Sequence, residues 1–323
     1  MNDVLLNVDN LTTCFATRNG LVPAVTDISF EVKKGKCIGI VGESGSGKSV
    51  TALSILKLVD ENNGKITQGR IDFEGLDLLA LSERQMRGIR GNRISMIFQE
   101  PMTSLNPVFT VGQQIEEVLV LHKKQSKAAA KSRAIELLGL VGMPSPEARY
   151  REYPFQLSGG MRQRAMIAMA LACEPQLLIA DEPTTALDVT IQAQILDLLS
   201  KLRRELGMTM ILITHDLGIV ADVCDEVVVM YAGQVVECAK TKEIFSNPKH
   251  PYTKALLECI PKLGYKGKLN VIKGNVPSIE EKIIGCRFKD RCSYVMEKCS
   301  TEPPLSGQQG AHRTRCWLVS KEG

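Results

Sequence analysis

The stretch Gly42-Glu43-Ser44-Gly45-Ser46-Gly47-Lys48-Ser49 constrains this chain more than any other part of it. It fits G-x-x-x-x-G-K-S at every position, follows the apolar strand pattern of Cys37 to Val41, and leads into a helical pattern from Val50 to Leu58. Glycines let a backbone wrap phosphate with its N–H groups, and the start of the following helix adds favourable dipole charge. In such a loop Lys48 reaches the β- and γ-phosphates and the Ser49 hydroxyl coordinates Mg²⁺, while Gly42, Ser44, Gly45, Ser46, Gly47 and Val50 line the cradle. The bland alternative is a Gly/Ser loop that matches by chance. A strand directly before it and a helix directly after it argue against chance.

A phosphate loop needs a scaffold, and the rest of the chain reads as one. Short strand patterns at Val4 to Val8, Ala24 to Val32 and Arg70 to Phe73 give way to a helical run from Val111 to Gly139. An apolar strand follows at Leu177 to Ala180, then a helix with Ile195, Leu198, Leu199, Leu202 and Leu206 on one face, then another apolar strand at Thr209 to Thr214. Strands alternating with helices predict an α/β fold with a mainly parallel sheet. The strand ending in Asp181-Glu182 supplies two carboxylates, Asp181 placed for Mg²⁺ and Glu182 for polarising an attacking water. Forty basic and 36 acidic residues leave a net charge of only +4, which argues against nucleic acid as a partner. No apolar run approaches the roughly 20 residues that span a bilayer, and the opening residues do not read as a secretory signal. If the protein serves a membrane, it does so through partners.

Leu157-Ser158-Gly159-Gly160-Met161 sorts this chain among phosphate-loop proteins. Ser158 can cap the helix that follows, and the two glycines leave N–H groups open at its start. Taken alone, that is a capped helix. In order with the other motifs it resembles the signature of the ABC ATPase family. Gln99, after the strand Ser95 to Phe98, resembles the Q-loop glutamine, Ala186-Leu187-Asp188 the D-loop, and His215 the switch histidine. The resemblance implies a P-loop NTPase of ABC type: parallel-sheet core, N-terminal antiparallel β-subdomain, and a helical subdomain at about residues 100–165. It implies Phe15 as the adenine-stacking aromatic, catalytic roles for Glu182, His215 and Gln99, and Mg²⁺ held by Ser49, Gln99 and Asp181. Ser158, Gly159, Gly160 and Asp188 then face nucleotide across a head-to-tail dimer, with ATP between the phosphate loop of one subunit and the signature helix of the other. The segment Gln99 to Thr110 borders the groove that receives a coupling helix of the membrane subunit.

A narrower resemblance covers nearly the whole chain. Phe98-Gln99-Glu100-Pro101-Met102-Thr103-Ser104-Leu105-Asn106-Pro107, Ser158-Gly159-Gly160-Met161-Arg162-Gln163-Arg164 and His250-Pro251-Tyr252-Thr253-Lys254-Ala255-Leu256 resemble the oligopeptide/dipeptide importer branch, in its D-type ATPase subunit. Met161 departs from the glutamine usual in the wider family. The branch implies a paralogous second ATPase as heterodimer partner, two permeases, an extracytoplasmic peptide-binding protein reached through them, and a peripheral position on the cytoplasmic face. Nickel or another small solute is the alternative cargo. A soluble ABC ATPase of DNA maintenance is the rival outside transport, disfavoured by the absence of a long heptad run. Texture changes near residues 262–268, dividing a nucleotide-binding domain (1–264) from a Cys-rich extension (265–323). Cys286, Cys292, Cys299 and Cys316 are spaced C-x5-C-x6-C-x16-C, without the tight pairs usual for zinc. Zinc, a [4Fe–4S] cluster and unligated thiols remain open on spacing alone. The branch's tail is associated with the cluster, whose four irons four thiolates satisfy.

Overall fold

The computed structural model describes residues 3–18, 20–60, 63–100, 104–185, 187–260, 271–281, 283–307 and 311–319. The texture change at 262–268, residues 101–103 of the importer-like segment, and Ala186 lie outside them. In chain order the strands are β1 (Val4–Thr17), β2 (Gly20–Lys33), β3 (Cys37–Val41), β4 (Gly64–Phe73), β5 (Leu76–Asp77) and β6 (Ile94–Ile97). β7 (Leu177–Asp181), β8 (Thr209–Thr214), β9 (Glu226–Tyr231), β10 (Gln234–Lys240) and β11 (Arg313–Thr314) follow. Two compact units divide the chain, residues 1–80 with 212–323, and residues 81–211.

The first unit holds a four-stranded antiparallel sheet in the order β2-β1-β4-β5. Leu6, Val8 and Leu11 of β1 and Val25, Ile28, Phe30 and Val32 of β2 bury its apolar face. Both strands outrun the sequence expectation, because pairing continues through polar residues to Thr17 opposite Gly20. Threonine suits a pleated strand, so the chain does not turn where its apolar residues thin out. In the same unit β3 runs parallel to β9, β9 antiparallel to β10, and β10 antiparallel to β11. Every residue of β3 is buried, as expected of a strand covered on both faces.

In the second unit β6 and β7 are parallel, from Ile94 opposite Leu177 to Ile97 opposite Ala180. The helical run expected from Val111 to Gly139 is two helices, Val111–Lys123 and Lys127–Leu140. Lys124 is left-handed at φ 55°, which stops the first helix, and the Ser126 hydroxyl starts the second by accepting from the Ala129 N–H. The helix Val189–Leu206 is capped by Asp188 and closed by Gly207 at φ 62°. It buries Ile195, Leu199 and Leu202, while Leu206 stands 42% exposed at its end.

One buried carboxylate organises the C-terminal part of the first unit. Glu237 of β10 is fully buried and accepts from the backbone N–H groups of Lys249 (2.7 Å) and His250 (2.9 Å), with His312 Nε2 at 2.6 Å. His250 in turn caps the helix Pro251–Glu258, its Nδ1 accepting from the Tyr252 N–H at 3.0 Å. Burial depresses the His250 pKa from 6.5 to about 3. An unfolded chain would protonate this ring below about 6.5, so unfolding takes up a proton and stability falls as pH drops from there toward 3. His250→Asn keeps a capping acceptor and removes the titration. Its melting temperature should fall less between about pH 7 and about pH 4 than that of the wild type, by an amount bounded at about 1.4 kcal/mol per pH unit. Parallel melting curves would remove His250 from the acid response.

Candidate functional site

The phosphate-type loop joins β3 to the helix Lys48–Ile55, and its shape leaves no room for side chains at two positions. A Cβ on Gly42 would stand 2.1 Å from the Met230 carbonyl oxygen. One on Gly47, at φ +95°, would stand 2.5 Å from Val25 Cγ1. The loop is pinned from outside by the Gly233 N–H, which donates to Ser46 O at 3.0 Å. Inside it, Lys48 Nζ donates to the carbonyls of Gly42 (2.8 Å) and Glu43 (3.0 Å), folding the ammonium across the loop. Ser49 and Val50 follow in the first helical turn, where N–H groups have no intrahelical acceptor. Ser44 and Gly45 are exposed and Ser46 is buried. This is a cradle for an anion, made of backbone donors and one ammonium.

Also in the first unit, His215 is exposed where β8 ends, just before Asp216 caps the helix Leu217–Val223. Phe15 is half-buried on β1, opposite Val22 and packed toward Gly64. A cavity of about 320 Å³ opens beside Gly45, walled by Val22 and Pro23 of β2 and by Ile279, Ile283 and Arg287 of the tail. Phe15 is not among its lining residues.

The second unit carries the remaining candidates. Asp181 ends β7, 3% exposed, and Glu182 follows at φ 44°. A non-glycine residue held left-handed carries strain, and such strain clusters where side-chain aim matters. Glu182 Oε2 accepts from Gln99 Nε2 at 3.3 Å and from Thr185 Oγ1 at 2.9 Å, so the strand-end carboxylate and Gln99 are brought together. Ser158 caps the helix Gly159–Leu171, and Arg162 ties that helix start to the Pro154 and Leu157 carbonyls at 2.9 Å each. A Cβ on Gly160 would lie 2.9 Å from Ile191 Cγ2, so glycine there lets the following helix approach. Asp188 Oδ1 accepts from the Ile191 N–H at 3.0 Å.

Several residues that build the site carry no motif. Glu43, the second residue of the loop, is held by Arg291 of the tail through contacts of 2.6 and 3.0 Å. Its N–H donates to the buried Tyr252 hydroxyl at 2.9 Å. Tyr231, Tyr252 and Phe288 pack ring on ring beneath, with centroids 4.7 to 5.3 Å apart. The His250-Pro251-Tyr252 sequence was the only trace of this support.

A buried parallel strand, a glycine loop and a helix start with a lysine define a P-loop nucleotide-binding protein. Residues 25–185 match the family model described as ABC transporter, and residues 236–299 that described as the oligopeptide/dipeptide transporter C-terminal region. The oligopeptide transport ATP-binding protein AppD of Bacillus subtilis is 52% identical over 99% of this chain and 98% of its own length. The dipeptide transport ATP-binding protein DppD of the same organism is 52% identical, over 97% and 94%. Among solved structures, the dimeric ATP-binding cassette MJ0796 in a post-hydrolysis state with ADP and Pi superposes with a TM-score of 0.66 at 29% identity, covering 73% of this chain and 98% of that one. The chain belongs to the ABC transporter ATP-binding proteins, in their oligopeptide/dipeptide branch. Its activity is transport-coupled ATP hydrolysis.

The loop's geometry separates two glycines. Gly42→Ala should abolish nucleotide binding and lower the melting temperature, because its methyl has nowhere to go. Gly45→Ala meets nothing within 4 Å and opposes only φ +77°, so it should keep measurable, weaker binding. Titration of both with a fluorescent ATP analogue checks this. Wild-type affinity in Gly42→Ala would contradict the closeness of Met230.

Proposed function

We propose that this chain is an ATPase of an importer for di- or oligopeptides, working on the cytoplasmic face of the membrane. The match of residues 236–299 to the oligopeptide/dipeptide C-terminal region, within relatives aligned over nearly their full length, carries this reading. Among the described residues no helix is long and apolar enough to cross a membrane, which fits attachment through permeases. The proposed partners are two permeases, a paralogous second ATPase, and a peptide-binding protein reached through the permeases. We further propose the division of the chain into residues 1–264 and an extension 265–323.

The residue roles follow the chemistry. Lys48 and the loop from Gly42 through Val50, including Ser44, Gly45, Ser46 and Gly47, hold the phosphates, and Phe15 stacks on adenine. Ser49, Gln99 and Asp181 are the Mg²⁺ ligands. Glu182 orients the attacking water, with Gln99 and Thr185 fixing its carboxylate, and His215 contacts the γ-phosphate. Ser158, Gly159, Gly160 and Asp188 face the partner ATPase. Reconstituted with both permeases, the protein should hydrolyse ATP faster when peptide-loaded binding protein is added. Glu182→Gln should retain ATP yet lose turnover about a thousandfold or more, together with uptake. Stimulation by nickel and not by peptide would replace the cargo; normal hydrolysis by Glu182→Gln would remove Glu182 from the reaction.

For Cys286, Cys292, Cys299 and Cys316 we propose a [4Fe–4S] cluster. Among the described residues no three or more His, Cys, Asp or Glu side chains form a group that could hold a metal ion as they stand. Three observations suit a cluster. Burial pushes the Cys286 thiol up to about 11 and raises Cys292 and Cys316, so thiolates there would need the positive charge of a bound metal, iron or zinc alike. The Cys286 N–H donates to the Cys299 carbonyl at 2.9 Å, which ties two of the four segments together. Backbone N–H groups two residues on, at Phe288, Tyr294 and Leu318, point at Cys286, Cys292 and Cys316, the support that thiolate ligands require. The group would act as a cross-link in a segment with little core of its own. Protein purified without oxygen should be brown with iron and acid-labile sulfide in equal amounts, and any one Cys→Ser substitution should bleach it. Zinc in place of sulfide would establish the zinc alternative.

A further inference from the structure

Arg291 belongs to the Cys-rich tail, 248 residues from Glu43, and its guanidinium has no donor left over. Nη1 donates to Glu43 Oε2 (2.6 Å) and to the Tyr231 hydroxyl (3.4 Å). Nη2 donates to Glu43 Oε1 (3.0 Å) and to Ile272 O (3.3 Å), and Nε to Lys273 O (3.0 Å). Five N–H groups thus meet five acceptors, on a side chain 5% exposed. The fork-to-carboxylate arrangement is the strongest ion-pair geometry available to a protein. Glu43 is equally committed: its N–H goes to Tyr252, its carbonyl accepts from Lys48 and Ser46, and its carboxylate goes to Arg291.

The charge at Glu43 is the puzzle. A loop built to surround phosphate gains nothing from a carboxylate one residue after its first glycine. Left alone, that carboxylate would repel the ligand across a few ångströms. We propose that Arg291 is a positioning residue for nucleotide binding, supplied by the tail, which neutralises Glu43 and draws its carboxylate off the phosphate cradle. The proposal rests on reading Gly42–Ser49 as the phosphate loop. It gives the tail a part in ATP binding: Arg291 adjoins Cys292, so order among the thiols is order at the loop. Arg287 and Arg315 fasten the same segment to the same body, at the Ala232 carbonyl and at Asp27 (2.7 Å).

The test is MgATP binding by the full chain, with melting temperature recorded for each variant. Lys48→Ala, expected to lose binding, separates failure of the phosphate-loop reading from failure of this one. Arg291→Ala should weaken binding roughly tenfold, and the deficit should shrink as salt rises, because it is electrostatic. Adding Glu43→Gln to Arg291→Ala should restore most of the affinity, which no merely structural role for Arg291 predicts. Arg291→Lys, with charge but no fork, should fall between. Unchanged affinity in Arg291→Ala would overturn the proposal, as would a deficit that neither salt nor Glu43→Gln relieves. Should Arg291→Ala fail to fold, Arg291→Lys carries the same two criteria.

Discussion

The nucleotide loop takes its shape from backbone closeness. Gly42 lies against the Met230 carbonyl, Gly47 against Val25, and Ser46 O takes the N–H of Gly233, so three neighbouring segments are pressed onto the loop. Each neighbour belongs to a strand or turn that is itself fixed by burial: Val25 on β2, Met230 on β9, Gly233 between β9 and β10. Parallel pairing of β3 with β9 makes this possible, since it brings the end of β3 alongside the end of β9. A preorganised set of N–H donors can then meet phosphate without rearranging, which is how backbone dipoles bind anions well in water.

A second layer lies beneath the first. Glu237 would be costly in the interior if unpaired, and it is paired three times over, by two backbone N–H groups and by His312. Through His250 it orients the helix that carries Tyr252, and the Tyr252 hydroxyl meets the N–H of Glu43. Buried polar contacts therefore run without a gap from β10 to the loop. Such networks specify one arrangement strongly when every member is satisfied.

What could be read from the sequence was local. The loop announces itself because strand, glycines, lysine and helix fall within about twenty residues, each needed by the next. Asp181 and Ser158 were legible for the same reason, one at the end of an apolar strand, the other at the head of a capped helix. The length of β1 was not, because cross-strand pairing rather than apolar content carries it to Thr17. Nor was the break at Lys124, where a lysine and not a glycine takes the left-handed conformation. The ion pair of Glu43 with Arg291 was not legible: a carboxylate in such a loop asks for a neutralising partner, but a contact between distant segments leaves no periodic mark to say which.

That separation also sets an order of events during synthesis. A ribosome adding about 5–20 residues per second needs roughly 10–50 s to pass from Glu43 to Arg291. Over that interval the residues of β3 and the loop are already in the nascent chain; Met230 and Gly233 join them late, and Arg291 last of all. On the role proposed for Arg291, the loop of a growing chain carries an uncompensated acid group until residue 291 has been made. Full affinity would then wait on the tail, and nucleotide binding would favour chains in which the Glu43–Arg291 pair has formed.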